Sequence, residues 1–400
     1  MNTIQPLLQR GLNALDPWLD AIFPVATALI CAKQRVAGYS LLVIYLFLRL
    51  LQRSDKEPWR WILISLLVVN AGLIIEDRDF KPGGPSDYLA IALSFAAGFQ
   101  RTRSQWRRSL AWMALSAIPL LAMSVAAGDK LIQINSSFTG FNINRLGFLA
   151  GLLSIFSYGL LLQSTTPPSR ILASALLIAG GTEAVLTQSR AAIAVPLIAI
   201  AIDQAARIQW NAKKAAAAIG ACAFIAIATL NSWYGETADY RNRVGDDNRI
   251  TTIRCWISNT TESPKKLILG QGYGKAARAK CGPDEISGLV KRDKPLSHAH
   301  NLYIQLFAET GMVGLALAVG LTLQAFQKAW STSLRSPGFT ERPLITYLFL
   351  MAMVATWHTM LINQVLVGYS LALLSAKASG PDAEGETTPA TQPNADATPN

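Results

Sequence analysis

The chain consists of runs of about 15–22 mostly apolar residues, separated by short polar or basic stretches. A helix needs about 20 apolar residues to cross the hydrocarbon core of a bilayer. Charged residues make up 15% of the sequence, whereas soluble domains contain about 25%. The pattern therefore predicts an all-α polytopic membrane protein and excludes a soluble globular domain.

About twelve transmembrane helices are predicted. We place them at 17–32, 36–52, 60–76, 87–100, 108–127, 145–163, 170–188, 191–206, 214–232, 300–328, 343–358 and 360–376. Helices 1–9 then occupy residues 1–232, a long polar loop occupies 233–299, helices 10–12 occupy 300–376, and 380–400 is a disordered cytoplasmic tail. Four of these segments are short or interrupted, so ten or eleven is the alternative total. The first residues lack a cleavable signal pattern, so we expect the spans themselves to direct insertion.

The basic residues indicate the orientation. The short loops 53–60, 101–108, 207–214 and 327–342 are rich in Lys and Arg and fall on one side of the twelve-helix arrangement. That side is predicted to be cytoplasmic, which makes the 233–299 loop periplasmic; Lys33 and Arg35 are exceptions. The net charge of +11 follows from this bias and from attraction to anionic membrane lipids. It does not indicate a nucleic-acid partner, because no basic aromatic groove accompanies it.

The long loop is the one place where a small polar subdomain is expected. Apolar residues recur at helical spacing from Asn248 to Thr260, which predicts a helix that ends before Pro264. The sequence "GQGYG" (270–274) is expected to be a flexible turn, and a second short helix is predicted at 284–290.

Two of the four cysteines, Cys255 and Cys281, lie in this loop. In an oxidising periplasm a disulfide between them is allowed, and it would stabilise a loop of about 26 residues by roughly 3–4 kcal/mol. Two unpaired thiols are the alternative. The four cysteines are too scattered for a zinc site.

His298 and His300 lie directly before a long predicted span. On a helix their i, i+2 spacing would place the two rings about 200° apart, and no third ligand follows at metal spacing. We therefore expect no metal and no cofactor. The alternative to a functional role is a polar helix cap, in which Ser297 bonds the first amides and the histidines lie in water.

Three arginines are predicted to lie on the outer side. Arg190 separates two apolar segments, and Arg249 and Arg254 fall on the predicted loop helix. Positive charge is disfavoured on that side, so an arginine there indicates an anionic partner. The alternative is that these side chains only reach toward lipid headgroups or solubilise the loop.

The opening of the tenth span resembles a known signature. His300-Asn301, nine residues, Gly311, two residues and Gly314 resemble H-[NSQ]-x9-G-xx-[GTY], the signature of the O-antigen ligase and polymerase superfamily. The two glycines, one turn apart, are predicted to permit close helix approach.

Three further stretches resemble elements of that superfamily, and the resemblance covers roughly residues 20–376. They are "QSRAA" (188–192), a periplasmic Ser-Arg turn; "RITTIRCWISNTTESPKKLILGQGYG" (249–274), a loop helix followed by a Gly-x-Gly turn; and "NINRLGFLAG" (142–151), an Asn-x-Asn entry to a span. One position differs: the family's tryptophan four residues after the loop arginine is Ile253 here. This leaves Arg249 and Arg254 as alternatives, with Arg249 preferred for its distance to Pro264.

The resemblance, closest to a lipopolysaccharide O-antigen ligase, implies a GT-C-like glycosyltransferase of the bacterial inner membrane with a periplasmic active site. The implied donor is a glycan on undecaprenyl pyrophosphate, and the implied acceptor is the lipid A–core saccharide. His300 is implied as the catalytic base, with Arg190 and Arg249 or Arg254 on the pyrophosphate. The secondary candidates are His298, Asn301, Asn142 and Asn144.

Other functions remain as alternatives. Within the superfamily the chain could be an O-antigen polymerase or a protein O-oligosaccharyltransferase, which differ from a ligase in the acceptor. A transporter or lipid flippase is the alternative of another class. It predicts charged residues at mid-span, for which Glu183, Asp203 and Glu309 are the candidates. No feature of the sequence indicates an oligomeric state.

Overall fold

The computed structural model describes residues 14–16, 18–32, 34–52, 85–98, 103–127, 143–187, 189–207, 246–272, 299, 301–333, 341–354 and 361–375. Within these residues every regular element is an α-helix. The helices are α1 (Ile22–Cys31), α2 (Arg35–Leu51), α3 (Pro85–Gly98), α4 (Arg103–Leu115), α5 (Ala117–Ala127), α6 (Ile143–Gln163), α7 (Pro167–Leu186), α8 (Arg190–Arg207), α9 (Asp246–Thr261), α10 (Pro264–Leu269), α11 (Leu302–Ser333), α12 (Glu341–Val354) and α13 (Leu361–Ser375).

The all-helical prediction is confirmed for these residues. Each predicted span outside 60–76 and 214–232 coincides with one or two helices, and those two spans lie outside the described residues, as does the tail at 380–400. Four stretches are long and apolar enough to cross a membrane: Gln105–Ala126, Arg145–Gln163, Pro167–Leu186 and Leu302–Ser331. The predicted span at 108–127 is divided, because α4 ends at Leu115 and α5 begins at Ala117.

Helix α6 lies at the centre of the described bundle and packs against α7, α8 and α12. A Cβ atom on Gly151 of α6 would lie 2.6 Å from the Tyr347 hydroxyl of α12 and 2.9 Å from Cγ of Pro196 in α8. The Tyr347 hydroxyl donates a 2.6 Å hydrogen bond to the carbonyl of Phe148. A glycine at position 151 therefore allows three helices to meet at one level of the bundle.

The end of α2 is joined to the N-terminal segment by a buried ionic network. Arg49, with 3% of its surface exposed, pairs with Asp20 at 2.7 Å and also with Asp16. Asp20 accepts further hydrogen bonds from Tyr45 (2.7 Å) and Ser109 (2.5 Å). Buried charges are tolerated when they are paired and hydrogen-bonded in this way, so the network connects the residues before α1 to α2 and α4.

Helix α11 reverses direction at Gly311. This residue has φ 68° and ψ −164°, which is not helical and is reached almost only by glycine. The hydroxyls of Tyr303 and Thr322, nineteen residues apart, lie 3.0 Å from each other, whereas nineteen residues of straight helix span about 28 Å. The predicted single span 300–328 is therefore wrong: residues 302–310 fold back along the segment 312–333.

The segment after Gly311 is long enough to cross a bilayer without the part before it. Residues 312–333 correspond to about 33 Å of helix at 1.5 Å per residue. His300 consequently does not open the long span, as the sequence analysis predicted. It precedes a short helix that leads up to the reversal.

Candidate active site

Three helices place the predicted motifs at one height in the bundle. Gly151, Pro196 and Tyr347 meet at one level. Arg145, Arg190 and Met353 each lie six residues from that level on their own helices, α6, α8 and α12, and toward the same end. Six residues correspond to about 9 Å of helix. The three positions therefore lie at about the same height, at what we call the motif end of the bundle.

Asn301 connects the signature to this end. Its Nδ2 donates a 3.0 Å hydrogen bond to the carbonyl of Met353 in α12. Its Oδ1 accepts a hydrogen bond of 3.0 Å from the amide of Ile304, so Asn301 caps the first turn of α11. A second connection lies nearby, where Nδ2 of Asn363 donates to the carbonyl of Arg145 at 3.2 Å. The cap that the sequence analysis assigned to Ser297 is therefore provided by Asn301.

The Ser-Arg turn packs directly on the Asn-x-Asn helix. A Cβ atom on Gly147 of α6 would lie 2.7 Å from Cβ of Ala192 and 3.2 Å from Cβ of Ser189. The carbonyl of Ser189 accepts the amide of Ile193 at 3.2 Å, so α8 begins at Arg190. Two stretches separated by some forty residues in the sequence (143–151 and 189–192) are thus neighbours at the motif end.

The loop helix α9 spans Asp246–Thr261 and confirms the helix predicted at 248–260. Its buried face carries Thr252, Cys255, Trp256 and Thr260. Cys255 and Trp256 form a small apolar cluster with Ala299, which lies between the two histidines in sequence, and Ala308 of α11. Helix α9 is therefore packed against Ala299 and the first part of α11.

The helical register distinguishes the two loop arginines. Arg254 lies on the exposed side of α9. Position 249 comes three residues before the buried Thr252 and so has the register of the packed face. The two positions thus lie on different faces of α9, and which arginine is functional remains a prediction.

The Gly-x-Gly turn after α10 is bound to the α11 reversal. The amides of Gln271 and Gly272 donate to the carbonyls of Ala308 (2.8 Å) and Glu309 (3.0 Å), and the Gln271 side chain donates to Thr260 of α9 at 2.8 Å. Gly270 and Gly272 have φ of 78° and 93°. For residues 270–272 the prediction of a flexible turn is therefore wrong, because backbone hydrogen bonds hold the turn on α11.

Gly311 permits a close helix approach, as predicted, and Gly314 makes room within α11. A Cβ atom on Gly311 would lie 2.2 Å from the carbonyl oxygen of Ile268 in α10, so its close neighbour is the loop element and not another long helix. A Cβ atom on Gly314 would lie 1.7 Å from Oγ1 of Thr310 in the same helix. Both glycines make room for the reversal.

Cys255 is fully buried and disulfide-bonded, whereas Cys31 is free. Cys281, its predicted partner, lies outside the described residues. The Cys255–Cys281 pairing remains a prediction.

A surface ion pair lies in the α9–α10 connection. Lys266 donates a 2.6 Å hydrogen bond to Glu262, and this bond and the positive charge lower the pKa of Glu262. Both side chains are exposed, so the pair contributes little to stability.

Several predicted site residues cannot be placed by their side chains. His298, His300 and Asn142 lie outside the described residues, and only the helical positions of Asn144, Arg190 and Arg249 are described. Among the described residues, no three His, Cys, Asp or Glu side chains lie close enough to bind one metal ion.

Sequence reasoning passed over Arg145. This residue follows Asn144 at the motif end, and it lies within electrostatic reach of Tyr39, as does Arg35. The signal was a positive charge on the predicted outer side, the same signal that singled out Arg190. Lys33 and Arg35 were instead treated as exceptions to the charge rule.

Residues 173–319 match the model of a protein family described as O-antigen ligase. This match, over somewhat more than a third of the chain, supports the predicted resemblance to the O-antigen ligase and polymerase superfamily. The matched residues include Arg190, Arg249, His300 and Gly311, and so cover three of the four motif stretches. None of the curated proteins compared with the chain matches it.

The match to the O-antigen ligase family agrees with the helices described above. The protein is a multi-pass membrane protein, and the family implies lipid-linked glycan substrates and a part in lipopolysaccharide biosynthesis. In this family context, the packing of α9, the Gly-x-Gly turn and the start of α11 against each other explains why motifs so far apart in sequence belong to one pattern.

Proposed function

We propose that this protein is an inverting, metal-independent, GT-C-like glycosyltransferase of the bacterial inner membrane. It transfers O-antigen glycan from undecaprenyl pyrophosphate to a sugar hydroxyl of lipid A–core at the periplasmic face. The observation that carries the proposal is the common height of Arg145, Arg190 and Met353, with Asn301 bonded to the Met353 carbonyl at 3.0 Å. This supports a pocket at the motif end, because His300 directly precedes Asn301 in the sequence and α8 begins at Arg190.

His300 acts as the general base. It removes the proton from the acceptor hydroxyl as that oxygen attacks the anomeric carbon of the donor. The new C–O bond forms as the bond from that carbon to the pyrophosphate oxygen breaks, and undecaprenyl pyrophosphate leaves with the electron pair. Attack opposite the leaving group inverts the anomeric configuration. An imidazole with an ordinary pKa of about 6.5 suits this role near pH 7 and contributes about 10²–10⁴-fold.

Arg190 and Arg249 bind the pyrophosphate. A guanidinium offers two parallel donors to phosphate oxygens and keeps its charge at all relevant pH values. Each well-placed donor to the leaving group stabilises the transition state by roughly 3–4 kcal/mol. The register of position 249 on the packed face of α9 supports Arg249 over Arg254, which is exposed.

The secondary candidates have smaller roles. Asn301 positions His300 through its cap and its bond to Met353, and Asn142 and Asn144 lie beside Arg145 in the Asn-x-Asn motif. His298 is separated from His300 by the buried Ala299. We assign it no part in proton transfer.

The carboxylates that a transporter would use are each bound within the protein. Glu183 accepts from Ser124 at 2.6 Å, Asp203 from Tyr158 at 2.7 Å, and Glu309 from Gln305 at 3.2 Å. These contacts lie at three separate places among the described helices. They give no support to a transport function.

The decisive experiment is a reconstituted transfer reaction. Purified protein receives an undecaprenyl-pyrophosphate glycan and, separately, lipid A–core, a second donor glycan or a serine-rich peptide as acceptor. We expect product with lipid A–core and none with His300→Ala, while His298→Ala, the neighbouring control, keeps at least half of the activity. Product with only the second glycan or only the peptide would replace the ligase assignment by a polymerase or a protein transferase. Full activity of His300→Ala would remove the proposed base.

A further inference from the structure

A second polar site lies at the end of the bundle opposite the motif end. A cavity of about 310 Å³ opens between the start of α4, the end of α6 and the start of α7. Ser164, at this end of α6, is nineteen residues from Arg145, a distance of about 28 Å along the chain of α6. The cavity is therefore separated from the candidate active site by nearly the thickness of a bilayer core.

One side of the cavity is basic. Arg107 and Arg108 of α4 line it, together with Ser164 and Ser169. Within the described part of the chain Arg107 has no hydrogen bond or ion pair, and Arg108 is 43% exposed with Asp16 at 3.9 Å, the limit of an ion pair. Arg170 adds a third guanidinium at the same rim, where its Nε donates to the carbonyl of Ser164 at 3.1 Å. Among the described residues, the positive charge at this cavity is thus compensated only by Asp16, at the limit of an ion pair.

The start of α7 adds to this positive potential. The helix has twenty residues and begins with Pro167 and Pro168, and its N-cap residue Thr166 makes no side-chain cap. The N-terminus of a helix carries a partial positive charge of about half an elementary charge. Ser169, in the first turn, lines the cavity. The helix end and the arginines therefore favour the same kind of ligand, an anion.

The other side of the cavity is apolar and continues onto the outer surface. It is lined by Ala111, Leu115, Leu160, Leu172, Ala173 and Leu176. Leu172 is 51% exposed and its neighbour Ile171 is 70% exposed, and α7 is one of the stretches apolar enough to cross a membrane. In a membrane protein such residues face lipid. A ligand that fills the cavity thus joins an anionic group to an apolar chain.

We propose that this cavity binds the phosphate headgroup of an anionic phospholipid, with its acyl chains lying along Leu172 and the apolar surface of α7. The phosphate is held by Arg107 and Arg108 as forked donors, and its charge is favoured by the α7 N-terminus. A free phosphate ion shares the polar chemistry but makes no use of the apolar wall.

The test measures lipid retained by the full-length protein. Protein in a neutral detergent is titrated with phosphatidylglycerol or with phosphatidylcholine, and bound lipids are counted by native mass spectrometry. Basic side chains near anionic lipid change affinity by about fivefold each. We therefore expect Arg107→Gln to lower phosphatidylglycerol affinity about fivefold, and the double substitution Arg107→Gln/Arg108→Gln about 25-fold. Lys328→Gln, which removes one charge from the end of α11, is the matched control. It should change the affinity for phosphatidylglycerol less than twofold.

A second substitution distinguishes an effect on lipid binding from an effect on the stability of the fold. Ser169 is the third residue of α7, so Ser169→Glu completes a Thr-x-x-Glu capping box with Thr166 and favours the helix N-terminus. It also puts a negative charge in the cavity. We expect unchanged or higher thermal stability with at least tenfold weaker phosphatidylglycerol binding.

Two outcomes would overturn the proposal. One is equal phosphatidylglycerol retention by the wild type, Ser169→Glu and the double arginine variant. The other is displacement of the lipid by inorganic phosphate at concentrations comparable to those of short-chain phosphatidylglycerol, because that would assign the site to a soluble anion. Weaker retention of phosphatidylcholine and no displacement by inorganic phosphate are the results we expect.

Discussion

Gly311 and Gly270 meet backbone to backbone: a Cβ atom on Gly311 would lie 2.6 Å from the amide nitrogen of Gly270. The first glycine belongs to the His-Asn signature and the second to the Gly-x-Gly turn, forty-one positions earlier in the sequence. Both have positive φ, 68° and 78°. Their contact fixes the loop element on the helix that follows His300.

Replacing Gly311 by alanine should therefore damage stability and activity together. The φ, ψ region that it occupies costs other residues about 1–3 kcal/mol, and the added Cβ would overlap backbone atoms that cannot rotate away. We expect a clearly lower apparent unfolding temperature and at least a tenfold loss of transfer. Gly320→Ala is the matched control in the same helix, since a Cβ there meets nothing within 4 Å and alanine favours the helix by up to about 1 kcal/mol. Wild-type behaviour of Gly311→Ala would refute the proposed importance of this contact.

Asn301 offers a way to separate capping from positioning. Asn301→Ala loses the cap of α11 and should cost about 1 kcal/mol of stability. Asn301→Asp still accepts from the Ile304 amide but cannot donate to the Met353 carbonyl. We expect near-wild-type stability of Asn301→Asp with turnover reduced at least fivefold, measured by thermal unfolding and by the transfer reaction. Undiminished turnover would leave Asn301 as a cap alone.

The two loop arginines should respond differently to the same change. Lysine keeps the charge of arginine but loses its planar fork of donors. We expect Arg249→Lys to lower turnover at least tenfold and Arg254→Lys, on the exposed side of α9, to change it less than twofold. Turnover at saturating donor is the measurement. The reversed result would assign the pyrophosphate to Arg254.

The disulfide can be mapped directly. Peptide mass spectrometry of the unreduced protein should recover a cross-link between peptides that contain Cys255 and Cys281, whereas Cys31 should be alkylated without reduction. Because Cys255 lies in the cluster that packs on Ala299, Cys255→Ser should loosen α9 and reduce transfer. A cross-link to Cys222 instead would contradict the predicted pairing.

The proposed reaction needs no metal ion, because the base and the phosphate ligands are side chains. Transfer should persist within twofold after incubation with excess EDTA and removal of the chelator by dialysis. An assay of the same sample with added Mg²⁺ is the control. Loss of activity with EDTA and its recovery with Mg²⁺ would favour a metal-dependent mechanism.

The sequence predicted the helices well and their interruptions poorly. Apolar periodicity sufficed for α6 and α7, where each span is a single helix. The reversal in α11 was missed because the apolar pattern continues without change through Gly311, and only the pairing of Tyr303 with Thr322 reveals it. Hydropathy describes the environment of a segment but not its direction.

For the candidate site, the sequence identified the motif residues but not the contacts between them. The motif residues were found by their resemblance to a family. Three features depend on tertiary packing: the helical register of position 249, the cap provided by Asn301, and the position of Arg145 close to Tyr39. The ionic network around Arg49 was also missed, because Asp16 and Asp20 lie some thirty residues before their partner. Contacts of this kind carry no local pattern.

The reversal of α11 explains the spacing between Asn301 and Gly311 in the signature. One end of that short helix is bonded to α12 and the other to the loop element. Its nine residues therefore set the distance between these two contacts at about 14 Å. One residue more or fewer would twist one contact against the other by about 100° and shift it by about 1.5 Å. A change in the number of residues between Asn301 and Gly311 would therefore break the contact with α12 or the contact with the loop element. This explains why the spacing, and not the identity of the residues within it, defines the motif.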